Sequence, residues 1–320
     1  MIPVYRSDAI LEALVRRLEA VLAPIAASFE LVLVNDCSPD RSWEVISGLV
    51  HEHHWVRGIN LMRNYGQHNA LLCGIRAARY DVIVTMDDDL QHPPEEIPKL
   101  LEKLAAGYDV VYGTPEQEQH GLGRDLASLA TKMALRGALG EEIARKVGAF
   151  RALRRQLTCA FDHYEGSFVS IDVLLTWGTT RFAATPVRHA PRQVGASGYT
   201  FRKLATHAMN MMTGFSTAPL QLASIVGFGF TLFGIGILVF VLGRYFVTGG
   251  SVPGFPFLAS IIAIFSGAQL FALGIIGEYL ARVHFRIMQK PPYVVRMDVA
   301  NRPGTTEPSK QSADLSQAKP

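Results

Sequence analysis

The chain has 320 residues, 49% of them hydrophobic, with 31 Lys+Arg against 28 Asp+Glu and a formal net charge of +3. That balance excludes an intrinsically disordered chain, a disulfide scaffold and a collagen-like repeat, and it is too weakly basic to argue for nucleic acid. The overall 18% of charged residues is low because of one region: residues 220–281 hold only Arg244 and Glu278. The cysteines, Cys37, Cys73 and Cys159, have no metal-ligand spacing and fit a reducing compartment.

The first 115 residues alternate short apolar runs with helical patterns. Strands are expected at 2–5, 31–35, 58–61, 82–86 and 110–112. Between them, apolar spacing predicts helices at 10–22, 43–50, 69–78 and 97–106. The last opens on Pro93-Pro94 and Glu95-Glu96, which supply a first-turn proline and N-terminal carboxylates. Alternation at this spacing predicts an α/β domain over 1–198, a mostly parallel sheet covered on both faces. In such sheets ligands bind beyond the carboxyl ends of the strands.

Phe201, Leu204, Ala208, Met211, Met212 and Phe215 recur at helical spacing, so 199–216 is expected to be an amphipathic helix lying in a membrane interface. Residues 220–242 and 255–277 carry no charge, and each is long enough to cross a hydrocarbon core of about 30 Å. They predict a two-helix transmembrane hairpin over 217–282. Arg202 and Lys203 before it and Arg282, Arg286, Lys290 and Arg296 after it place both flanks in the cytoplasm. The chain opens with a strand-like MIPVY and no signal-peptide pattern, so the large domain is expected to stay cytoplasmic. The remainder, 283–320, reads as a cytoplasmic tail, disordered after about 297.

Polar clusters follow three strands: Asn35-Asp36-Cys37-Ser38-Pro39-Asp40, Arg63-Asn64-Tyr65-Gly66-Gln67-His68-Asn69, and Asp87-Asp88-Asp89-Leu90-Gln91-His92. Three consecutive carboxylates repel one another, and burying them without a cation costs several kcal/mol. Asp87 and Asp89 are two apart, so an extended turn projects both to one side. That suits a hard divalent cation which also holds phosphate oxygens. A solvated acidic turn is the bland alternative. His51, His53 and His54 have no matching carboxylates and read as surface; His68 and His92 lie nearer the site without an assigned role.

IPVY, VNDCSPD, RNYGQHNA and MDDDLQHPPE, in this order and spacing, resemble family 2 glycosyltransferases of the GT-A fold, in the polyisoprenyl-phosphate sugar transferase subgroup. The R-Q-V-G-A-S-G-Y stretch at 192–199 and the GEYL at 277–280 extend the likeness to about residue 295. The resemblance implies that Pro3, Tyr5, Asp36, Asp87 and Asp88 bind the nucleotide. It also implies that Asp87, Asp89 and Gln91 hold Mg²⁺ or Mn²⁺. Arg124, Ser128, Lys132 and Arg151 would meet the acceptor phosphate, with Asp87, Asp89, Arg124 and Arg151 as the catalytic set. Three positions depart from the family pattern: Lys146 for Asp, Pro115 where arginine is common, and Arg6-Ser7 for Asn-Glu.

The implied function is inverting, metal-dependent transfer of a sugar from a nucleotide donor, a UDP-sugar, to undecaprenyl phosphate. Its place is the cytoplasmic face of a bacterial inner membrane, with no nucleic-acid partner and a homo-oligomer left open. The alternatives are a GDP-sugar donor and a catalytically impaired, membrane-tethered nucleotide-sugar-binding protein.

Overall fold

The computed structural model describes residues 1–115, 146–166, 169–190, 218–248, 254–288 and 290–301. Arg124, Ser128, Lys132, the 192–199 stretch and the expected interfacial helix lie outside them. The described strands are β1 (Ile2–Val4), β2 (Leu31–Asn35), β3 (Val56–Leu61), β4 (Val82–Thr85), β5 (Val110–Pro115), β6 (Arg151–Arg154), β7 (Phe182–Val187) and β8 (Val295–Ala300). The helices are α1 (Leu11–Leu22), α2 (Ser42–Glu52), α3 (Gln67–Ala77), α4 (Ile97–Ala105), α5 (Ile171–Gly178), α6 (Ala218–Thr248) and α7 (Phe255–Ile287).

The strands form two four-stranded sheets, in the orders β1-β2-β3-β8 and β4-β6-β5-β7. β1, β2 and β3 run parallel, as do β5 and β7; β6 lies antiparallel between β4 and β5. The sheets are stitched where the amino group of Met1 donates to the Val84 carbonyl at 2.8 Å and the Met86 N–H donates back to the Met1 carbonyl at 3.3 Å. That exchange is one parallel rung, so β4 continues the β1 side of the sheet.

Strand β2 is buried at every position, as a strand covered on both faces must be. Leu11, Leu14, Val15 and Leu18 of α1 face one core with Leu33 and Ile46, while Ala70 and Cys73 of α3 pack on Val32, Val34 and Ile59 on the other face. Gly58 lets α2 close on β3: a methyl group there would sit 2.6 Å from Ile46 Cγ2. All five expected strands and all four expected helices of the first 115 residues are present, with ends shifted by a few residues.

α6 and α7 lie side by side, Phe230 meeting Phe265 edge to face at 5.5 Å. Of the two, α7 contains a stretch long and apolar enough to cross a bilayer, Ile264–Ala281, and α6 holds a shorter apolar run, Ala223–Ile237. Phe228, Phe233, Phe240, Leu270, Phe271 and Leu273 are exposed on them, an outward apolar surface that water does not favour.

The expected disorder after about 297 is corrected through residue 300, because β8 pairs antiparallel with β3. Arg57 forks onto the Asp298 carboxylate at 2.8 and 2.5 Å and fixes that pairing. A second correction concerns Arg151. Pairing between β6 and β5 turns its side chain into the sheet's far core, where it is 1% exposed and ion-paired with Asp172 of α5. The Tyr112 hydroxyl donates to the same carboxylate at 3.0 Å. The guanidinium expected on an acceptor phosphate is thus committed to an internal pair. Asp172→Ala, which strands that charge, should lower unfolding stability by about 3–5 kcal/mol, read from denaturant titration in detergent.

Candidate active site

The carboxyl ends of β1 to β4 surround a cleft of about 250 Å³ lined by Pro3, Val4, Tyr5, Asp36, Asn64, Gly66, Gln67, Asp87, Asp88 and Asp89. The residues expected to bind nucleotide, Pro3, Tyr5, Asp36, Asp87 and Asp88, therefore converge, and Asp89 joins them. Gln91 does not line the cleft. Its backbone carbonyl accepts the Ala190 N–H at 2.8 Å, which ties the acidic loop to the chain after β7.

The carboxylates are treated differently. Asp36 is buried, with its two oxygens accepting the Tyr65 and Gly66 N–H groups at 2.7 and 2.8 Å. Burial raises its pKa, and those two amides pull it back down. Asp88 turns inward, accepting the Ser7 hydroxyl and, at 3.3 Å, the Tyr5 N–H; burial raises its pKa too. Asp87 accepts from Gln67 Nε2 at 2.6 Å, and Asp89 Oδ1 accepts the Gln91 N–H at 3.1 Å. Asp36 and Asp88 thus hold the walls in place, and Asp87 and Asp89 line the cleft beside them. Ser7, which departs from the pattern that the resemblance implies, has a local role here, since its hydroxyl secures Asp88.

Backbone strain gathers at these strand ends. Among the described residues the non-glycine positive φ angles are Arg6 at 60°, Cys37 at 51° and Leu90 at 58°, directly after β1, after β2 and after β4. Gly66, beyond β3, sits at 93°. Each non-glycine left-handed residue costs on the order of 1 kcal/mol or more, and such outliers cluster at functional sites.

His92, left without a role by the sequence, stacks on Phe150 at 5.2 Å and meets His189 edge-on at 5.0 Å. Its Nδ1 is buried with no hydrogen-bond partner among the described residues. Burial, aided by His189, pushes its pKa down to about 4, so the ring is neutral at pH 7. The stack braces the acidic loop from behind, and neither periodicity nor motif spacing signalled it.

Hard oxygen donors two residues apart fit a cation that binds one or two carboxylates and takes its remaining ligands from phosphate and water. Among the described residues no cluster of three or more His, Cys, Asp or Glu is arranged to hold a metal ion.

Asp36→Ala should orphan the Tyr65 and Gly66 amides and cost about 1–3 kcal/mol. Hydrogen exchange should show those two amides losing protection before the β2 and β3 ladder does.

The sequence profile of glycosyl transferase family 2 matches residues 1–161. An undecaprenyl-phosphate 4-deoxy-4-formamido-L-arabinose transferase of Pectobacterium carotovorum subsp. carotovorum is 35% identical over 304 residues, covering 94% of this chain and 93% of its own. The transferase of the same name from Shewanella sediminis is 36% identical over 299 residues, 92% of this chain and 90% of its own. Among solved structures, glucosyl-3-phosphoglycerate synthase of Mycobacterium tuberculosis, in complex with Mn²⁺, uridine diphosphate and phosphoglyceric acid, aligns with a TM-score of 0.50. It shares 15% identity over 66% of this chain and 74% of that one, which is a likeness of fold. The sheet with its cleft at the strand ends is a GT-A-like core, and the chain is a glycosyltransferase belonging to glycosyl transferase family 2.

Proposed function

We propose that this enzyme transfers a sugar from a UDP-sugar to undecaprenyl phosphate at the cytoplasmic face of a bacterial inner membrane, inverting the anomeric centre with Mg²⁺ or Mn²⁺. The observation that carries this reading is the extent of the similarity. Relatives named as undecaprenyl-phosphate transferases match across more than nine-tenths of the chain, apolar helices included.

In this reading Pro3 and Tyr5 flank the nucleoside, and Asp36 and Asp88 keep the cleft walls in register. Asp87 and Asp89 hold the divalent cation, which when bound offsets charge on the departing nucleoside diphosphate. The lipid phosphate is already anionic and nucleophilic at neutral pH, so the site needs no strong base. It needs cations that bring two phosphate groups together. Arg124, Ser128 and Lys132 remain the acceptor-side candidates on the family pattern; Arg151 is withdrawn from that role because it is committed to Asp172.

α6 and α7 form the proposed membrane hairpin, with both flanks cytoplasmic. The apolar stretch of α7, the shorter apolar run of α6 and the exposed apolar faces of both helices support it.

A transfer assay over UDP- and GDP-sugars, with and without undecaprenyl phosphate, tests the chemistry directly. Asp89→Asn should cut transfer by about 10²–10³-fold while the protein stays folded and in the membrane. Undiminished wild-type transfer in excess EDTA would sink the metal assignment. For topology, Ser251→Cys should react with an impermeant thiol reagent in intact cells; reaction of Ser312→Cys in the C-terminal tail instead overturns the orientation.

A further inference from the structure

The chain that leaves α7 does not trail away. β8 enters its ladder opposite Leu61, the carboxyl end of β3, and runs back toward Arg57. The Met62 N–H donates to the Val294 carbonyl at 2.9 Å, and Arg296 Nη2 donates to the Met62 carbonyl at 3.3 Å. Just before the ladder Pro292 is buried, and Tyr293 lies under Arg76 of α3, whose guanidinium is 6.0 Å from the ring centroid. The same end of β3 continues into Arg63-Asn64-Tyr65-Gly66, part of which lines the cleft. The apolar helix and the cleft are thus joined through one strand end.

This corner has an unusual surface. Met62, Val294, Val295 and Met297 are 40–49% exposed. Beside them stand the exposed cations Arg63, Lys290 and Arg296. The one acid of β8, Asp298, is taken by Arg57. Exposed apolar side chains on an edge strand invite pairing or aggregation unless something covers them.

We infer that this corner lies against the headgroup layer of the membrane that α7 enters. The apolar side chains occupy the headgroup boundary and the cations meet anionic lipid phosphates. The inference rests on the proposed membrane reading of α7. Two observations choose lipid over a second copy. First, Val294 follows the apolar stretch Ile264–Ala281 closely. Six helical residues to Ile287 and seven connecting ones allow a reach of only about 32 Å. Second, an anionic surface complements three cations, whereas a second β8 offers them only Asp298, which is already held by Arg57. One consequence is that the cleft, at the same edge of the sheet, opens toward the lipid phosphates.

The test uses the full chain in nanodiscs of phosphatidylglycerol and phosphatidylcholine. One sample carries a photoreactive group in the lipid headgroup, the other in the acyl chain, and adducts are mapped by mass spectrometry. Headgroup adducts are expected on 290–297 and on Met62 and Arg63, at least about five-fold above those on 23–28 at the opposite edge of the sheet. Acyl-chain adducts are expected on 264–281. Lys290→Glu with Arg296→Glu should depress the headgroup adducts and leave the acyl-chain ones. Acyl-chain adducts without headgroup adducts on 290–297 would overturn this inference alone, as would copy-to-copy adducts at 295–297. Loss of the acyl-chain adducts would overturn the membrane reading and this inference together.

Discussion

Four carboxylates meet at one edge of a sheet, and the fold is organised around keeping them there. Like charges so close repel, and in a half-buried cleft water screens them poorly. Asp36 is answered by two backbone amides of the loop after β3, Asp88 by Ser7 and the Tyr5 N–H, and Asp87 by Gln67 from the first turn of α3. Each of these bonds ties one strand end to another. The acidic residues are therefore the fasteners of the cleft as well as its proposed metal and nucleotide ligands. The left-handed residues Cys37 and Leu90 belong to the same arrangement, each bending the chain beside a cleft carboxylate, and Arg6 bends it where β1 delivers Tyr5 and Ser7 to Asp88.

The supports beyond the cleft follow from it. The acidic loop is braced by the His92–Phe150–His189 stack and by the Ala190 to Gln91 backbone bond. Glu95, just past it, holds Arg17 of α1 at 2.6 Å. A neutral His92 adds no charge to a site already crowded with one sign. Its orphaned Nδ1 is tolerated because ring packing on both sides repays it.

Much of this was legible in the sequence. Strand–helix alternation is encoded locally, in runs such as Leu31–Asn35 and in the spaced apolar residues of α1, so the parallel half of the sheet follows from periodicity. Cleft residues were found because they sit where strands end. What the sequence withheld depends on pairing across long separations. β8 reads as part of a polar tail, and only its antiparallel ladder with β3, across a separation of 241 residues at Arg57 and Asp298, makes it a strand. Arg151 carries a family arginine's position, yet which face of β6 it occupies is decided by register with β5, and register put it on Asp172. The inward turn of Asp88 onto Ser7, 81 residues away, was hidden in the same way.

The pairing of β8 with β3 also sets an order of assembly. β3 emerges from the ribosome early, and its outer edge has no partner until more than two hundred further residues, the apolar helices among them, have been made. Until then the nascent domain carries an open strand edge, the kind of surface that chaperones protect and that drives misassociation. In the proposed membrane reading, delivery of α6 and α7 to the bilayer is coupled to closure of the sheet. A chain cut before α6 would leave the β3 edge without β8, so the apolar helices and the strand behind them belong to one folding unit.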